Sequence, residues 1–399
     1  MALLAITGFP GCTAGRSSRV VAPPACSSVT AETPLSSASF PQVPVPGQPF
    51  GAAFTPDGRT IFVSLSVLKP SQDANTATGV AVLHRTATHD LVLGSVIPIS
   101  RDVSAQGGVT GIAVTHDGRL LLAADQDGVD VIDTSAAIRG LHSALVGHLD
   151  DPAGGGTFEI AISKDDRYVF ATEESAGEVT VFDLRRARAN HFAGDFVVNE
   201  ILVPPFPVGI ALAPDGGRAF VTTEASDQSA SSDAQPGTLT VIDTDRAEHG
   251  TRDAVVARVP AGCAPVRVSI SSDGKRAWAT ARGSNAVLAF DIGRLVADPT
   301  HALKAWARVG PNPVGIALTQ QDRLAVVVNS NRFALSTDPP TADVIDTGAV
   351  LKGHAAIVQR LRVAAFPRDV AEVPGSRGEL LVTNFGAGTV QIVRTLKAK

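Results

Sequence analysis

Apolar residues in this chain fall in short runs broken by clusters of turn formers, and one arrangement recurs seven times. PFGAAFTPDGRTIFVS from Pro49 is matched by VTGIAVTHDGRLLLAA from Val109, TFEIAISKDDRYVFAT from Thr157 and PVGIALAPDGGRAFVTT from Pro207. PVRVSISSDGKRAWAT from Pro265, PVGIALTQQDRLAVVVN from Pro313 and the more divergent PRDVAEVPGSRGELLVTN from Pro367 follow. An apolar strand, a tight turn of the Asp-Gly type and a second apolar strand make a β-hairpin signature. A third apolar run follows each hairpin, ending at His84, Asp133, Asp183, Asp243, Asp291, Asp346 and Arg394. The unit therefore repeats roughly every 50 residues, the spacing of one four-stranded blade.

A fourth run precedes the next repeat, as in residues 91–99, 196–204, 253–261 and 356–364. The chain stops after a third strand, and Phe40 to Gly47 is expected to supply the missing outer strand and close the ring. Prolines 41, 44 and 46 suit an outermost edge, where no ladder hydrogen bond has to be donated. The fold class expected is all-β: a seven-bladed β-propeller of four-stranded antiparallel blades spanning 40–399. Length alone suggests two or three domains for 399 residues, but the repeats make one unit.

Pro207 to Thr244, with PVGIALAPDGGRAFVTT followed by LTVIDT, resembles the YVTN-repeat (YncE-like) propeller family, and the resemblance covers residues 40–394. It implies a propeller, and it implies extracytoplasmic binding and scaffold modules; similar sevenfold rings occur in lactonases. Blade 7 departs most, with Pro-Gly-Ser-Arg-Gly in place of Asp-Gly.

Residues 1–39 are rich in Ala, Ser, Thr and Pro without strand or helix periodicity, and read as a leader, linker or export-signal remnant. Cys12, after Ile6-Thr7-Gly8-Phe9-Pro10-Gly11, loosely resembles a lipoprotein cleavage site. An extracytoplasmic location is expected: periplasmic, secreted or lipid-anchored. The three cysteines, Cys12, Cys26 and Cys263, have no CxxC spacing and cannot all pair, so neither a disulfide framework nor a thiolate zinc site is indicated. The net charge of −5 gives no reason to expect a nucleic acid, and no run is long enough to span a membrane.

The aspartates ending five third strands are read as caps of short helical turns, with Gly140, Asn190, Gly250, Asp298 and Gly353 as their stops. The hairpin acids Asp57, Asp117, Asp165, Asp215, Asp273 and Asp322 are read as turn stabilisers.

Candidate chemistry collects on the face where second strands end and inner strands begin. Long polar loops between second and third strands fall in blades 1 (66–78), 4 (225–236) and 6 (330–341), and insertions confined to one face mark a binding face. At the start of the inner strand, Gly51, Gly111, Gly209 and Gly315 alternate with Glu159, Arg267 and Asp369, which are expected to point into the channel. At the ends of second strands, Glu173, Asn329 and Asn384 are unusually polar, and Glu174, Glu224, Arg282 and Arg332 follow nearby. Glu173 and Glu174 are adjacent on an extended strand and so face opposite ways.

No HExxH, HxH, paired CxxC, GxSxG or P-loop motif is present, so no metal site, no cofactor and no confident catalytic residue is indicated. The function expected is a non-catalytic, monomeric scaffold binding a protein, glycan or small ligand on the channel face. The alternative is a lactonase-like hydrolase. It is prompted by TARGSNAVLAFDI (280–292), similar to a strand-loop-strand of bacterial lactonase propellers, with Arg282 polarising a carbonyl and Glu159 or Glu173 activating water.

Overall fold

The computed structural model describes residues 20–27, 29–67, 78–99, 107–151, 154–226, 234–332 and 339–398. Seven antiparallel sheets of four strands follow one another along the chain, each forming one blade; in the first, Gly107–Gly108 adds a short extra pairing to the second strand. The inner strands are Gln48–Phe54, Ile112–Val114, Thr157–Ile162, Pro207–Leu212, Pro265–Ile270, Pro313–Thr319 and Pro367–Glu372. The seventh sheet has Gln42–Pro44 as its outer strand, antiparallel to Thr389–Arg394 with Val43 opposite Val390. No helix among the described residues is long and apolar enough to cross a membrane.

The core lies between blades. Second and third strands are buried on both faces, and their side chains interleave with those of the next blade. Phe220 of blade 4, for example, joins a cluster with Leu288 and Phe290 of blade 5. Hydroxyls on the second strands reinforce this packing. Ser64 donates to the Thr110 carbonyl, Thr222 to that of Val266 and Thr280 to that of Val314, each time in the following blade. Thr383 of blade 7 donates in the same way to the Phe50 carbonyl of blade 1.

The aspartates ending the third strands behave as the spacing predicts in four blades. Asp133, Asp183, Asp243 and Asp346 each accept from the backbone N–H three residues on, opening a short helix. Asp291 makes no such bond and pairs with Arg276 instead. Gly140, Gly250 and Gly353 end their turns in the left-handed region, but Asn190 does not; the reversal falls on His191 and Phe192. Asp322 also departs from expectation. It reaches to the neighbouring turn, accepting from the Ser272 backbone N–H and hydroxyl, and so links hairpins of blades 5 and 6.

Residues 1–19 and 28 lie outside the described residues, and with them Cys12. From Ala22 the segment expected as a linker is held against the propeller. The Ala22 carbonyl accepts from the Trp306 indole, the Ser27 N–H donates to the Gly283 carbonyl, Ala31 to Val309 and Ser36 to Arg360. This strap crosses blades 5 and 6 before entering blade 7. Cys26 forms a disulfide with Cys263, 237 residues away, a single bridge where the spacing of the cysteines indicated no disulfide framework. Spacing could not reveal it, because the pair is brought together by the path of the strap.

Candidate functional site

The channel is shaped by a bulge at the start of the inner strand. The ladder register shifts between Thr157 and Glu159, Pro207 and Gly209, and Pro367 and Asp369, with equivalent shifts in blades 1, 5 and 6. A bulge sets two residues of one strand against one of its partner, so strict in–out alternation fails there. Consecutive residues such as Phe158 and Glu159, or Arg368 and Asp369, can therefore both serve the channel.

Glycine and charge alternate around the ring for a steric reason. A Cβ on Gly111 would lie 2.7 Å from the Glu159 Cα, and one on Gly209 would lie 2.3 Å from the Val266 carbonyl oxygen. One on Gly315 would lie 2.9 Å from the Asp369 Cα. The glycine of each even-numbered blade thus makes room for the charged residue of the next.

Glu159 of blade 3 and Arg267 of blade 5 meet across Gly209, with Nη2 3.1 Å from Oε2. Arg267 also donates to the Val208 carbonyl. Asp369 accepts from the Ala52 N–H. Burial pushes the Glu159 carboxyl up to about 7, with Arg267 opposing the rise and Asp369 adding to it. Burial likewise raises Asp369, against the pull of Arg267.

Beside these charges lies an aromatic group. The Phe50 ring stands edge-on to Phe158 at 5.5 Å and to Phe385 at 6.2 Å, and Phe366 stands 5.3 Å from Phe385. Arg267 lies over Phe158. Arg368 lies over Phe50 at 4.3 Å and Phe366 at 5.4 Å, and Arg332 over Phe366 at 6.0 Å.

The residues following second strands form the rim. Glu224 of blade 4 and Arg282 of blade 5 make a two-pronged ion pair at 2.7 and 3.1 Å, both nearly buried. Burial raises the Glu174 carboxyl, and the charge of Glu224 adds to the rise while Arg368, Arg282 and Arg332 oppose it.

The structure thus brings seven of the expected residues together: Glu159, Glu174, Glu224, Arg267, Arg282, Arg332 and Asp369. Glu173, Asn329 and Asn384 point instead into their blades. Asn329 donates to the Thr341 hydroxyl, and Asn384 to Gln391. Glu173 accepts from the Thr157 hydroxyl, and burial beside Asp151 pushes its carboxyl up to about 8. Glu173 and Glu174 do face opposite ways, as strand geometry requires. Arg368 and the phenylalanines went unnoticed in the sequence. One signal was available: in the column Phe50, Thr110, Phe158, Val208, Val266, Val314, Arg368, only Arg368 is charged.

The long loops expected to mark the binding face lie mostly outside the described residues, at 68–77, 227–233 and 333–338. Among described side chains, Asp125, Asp130 and His148 of blade 2 could hold a cation, with their ligand atoms within 4.8 Å of one another. His148 Nδ1 lies 2.8 Å from Asp130 Oδ1, a hydrogen bond that a cation would have to replace. His148 is thus half-buried on an outer strand, as part of a polar cluster with the buried Asp125 and Asp130. Cys263, on this face, is held in its disulfide with Cys26.

No family model and no curated protein matches the chain. Among solved structures, Kuenenia stuttgartiensis hydrazine synthase matches at a TM-score of 0.63 and 16% identity, over 91% of this chain and 99% of that one. At that identity the likeness extends to the fold alone: the chain is a seven-bladed β-propeller.

Proposed function

We propose that this protein is a non-catalytic binding scaffold that takes a polar ligand at the channel mouth, outside the cytoplasm. One observation carries the reading: the groups that a hydrolase would need are engaged with each other. Arg282, the residue suited to polarise a carbonyl, is gripped at both prongs by Glu224. Glu159, the suited base, is paired with Arg267. Glu173, the alternative base, lies inside its blade. A rigid ring carrying a charged and aromatic mouth suits recognition, because ordered side chains cost little entropy when a ligand arrives. The Cys26–Cys263 disulfide supports the location, since such bonds persist in oxidising compartments.

A panel of lactones and esters, assayed with wild type and with Glu159→Gln, Glu173→Gln and Arg282→Ala, tests the reading. No turnover above buffer is expected. Turnover abolished by any of the three substitutions would overturn it in favour of the lactonase-like alternative.

A further inference from the structure

We propose that the channel mouth binds a small monocarboxylate, held by the edge of the Arg368 guanidinium. The inference rests on the scaffold reading above and names its ligand class. Arg368 is only partly exposed, and among the described residues its guanidinium has no hydrogen-bond or ion-pair partner; what it has is aromatic rings. Its guanidinium carbon lies over the rings of Phe50 and Phe366, while the donors of a guanidinium lie in its plane and point outward from its edge. The ring contacts thus hold the guanidinium in place and leave its hydrogen-bonding capacity unused.

The surroundings make an unanswered cation costly here. Burial holds the Arg368 pKa well below the ordinary guanidinium value, and repulsion from Arg332, Arg267 and Arg282 adds to the effect. Arg267 is paired with Glu159 and Arg282 with Glu224. Among the described acids, Glu174 and Asp369 both feel the Arg368 charge, and burial favours the protonated form of each. A planar carboxylate matches the guanidinium fork with two parallel hydrogen bonds and brings one negative charge. A phosphate dianion brings two, and would meet Glu174 and Glu224 at close range.

Calorimetric titration of the full chain with acetate and benzoate, at constant ionic strength, reads the site directly; inorganic phosphate is the comparison. Binding of the carboxylates is expected, with phosphate weaker. Arg368→Gln should weaken carboxylate binding about ten- to a hundredfold, the value of a hydrogen-bonded charge. Arg368→Lys, which keeps the charge but loses the fork, should also weaken it, and serves if the glutamine variant fails to fold. Absence of carboxylate binding, binding unchanged in both variants, or phosphate binding more tightly than either carboxylate would each overturn the proposal. The scaffold reading fails separately, through turnover in the lactone and ester panel.

Discussion

Glu173 shows how a single side chain can set a pH response. It is fully buried, its Oε1 has no hydrogen-bond partner, and its neighbours include Asp151 and Glu178. Its carboxyl sits at about 8 in the folded chain against 4.5 for the free group. Between those values the folded chain keeps a proton that the unfolded chain has released, so this group makes stability fall as pH rises, with the full penalty reached above about 8. Glu173→Gln keeps an acceptor for Thr157 and removes the ionisation. It should stabilise the protein by about 1–3 kcal/mol at pH 8.5 and leave it unchanged at pH 4.5, as read by urea denaturation at both values. Glu159 responds in the same direction over a narrower range, up to about 7. At this scale the sequence was legible wherever strand alternation holds, as for Glu173 and Glu174. It was only half legible at the bulges: Asp369 was read as a channel residue, but not Arg368, which the register shift brings to the channel beside it.

Between blades, hydroxyl-to-carbonyl bonds do what side-chain packing alone does not: they fix the height of each inner strand against its neighbour. Thr383 is the instance that joins the last blade to the first. Thr383→Val keeps the shape and leaves the buried Phe50 carbonyl without this donor. It should cost about 1 kcal/mol, read as a lower denaturation midpoint, with Thr222→Val giving a similar loss. A loss seen for Thr222→Val and not for Thr383→Val would mean that the seam between blades 7 and 1 is held by other contacts. Blades themselves were plain in the sequence, because hairpin turns, alternating strands and capping aspartates are all local signals. Asp291 and Asp322 were misread for the converse reason: their partners, Arg276 and Ser272, are chosen by tertiary placement.

Across the whole molecule, the strap and its disulfide tie together segments far apart in the chain. Opening the Cys26–Cys263 bond frees a closed loop of 237 residues in the unfolded state, for which chain entropy predicts a loss of about 2–5 kcal/mol. Thermal melts with and without reductant should show it, and Cys26→Ser should reproduce the reduced value; identical midpoints would assign the strap's attachment to its hydrogen bonds. No local pattern announced this arrangement, since residues 20–39 have the composition of a linker and acquire their place from blades 5 and 6.

The strap also decides how the molecule carries a load. The outer strand of blade 7 is three residues long, Gln42–Pro44, and alone it would peel readily from Thr389–Arg394. A pull arriving from the N-terminal side reaches Cys26 first and passes through a covalent bond into the outer strand of blade 4, Val255–Cys263. The short strand downstream bears none of the tension, so the propeller can be tethered by its N-terminal end without being unzipped from it.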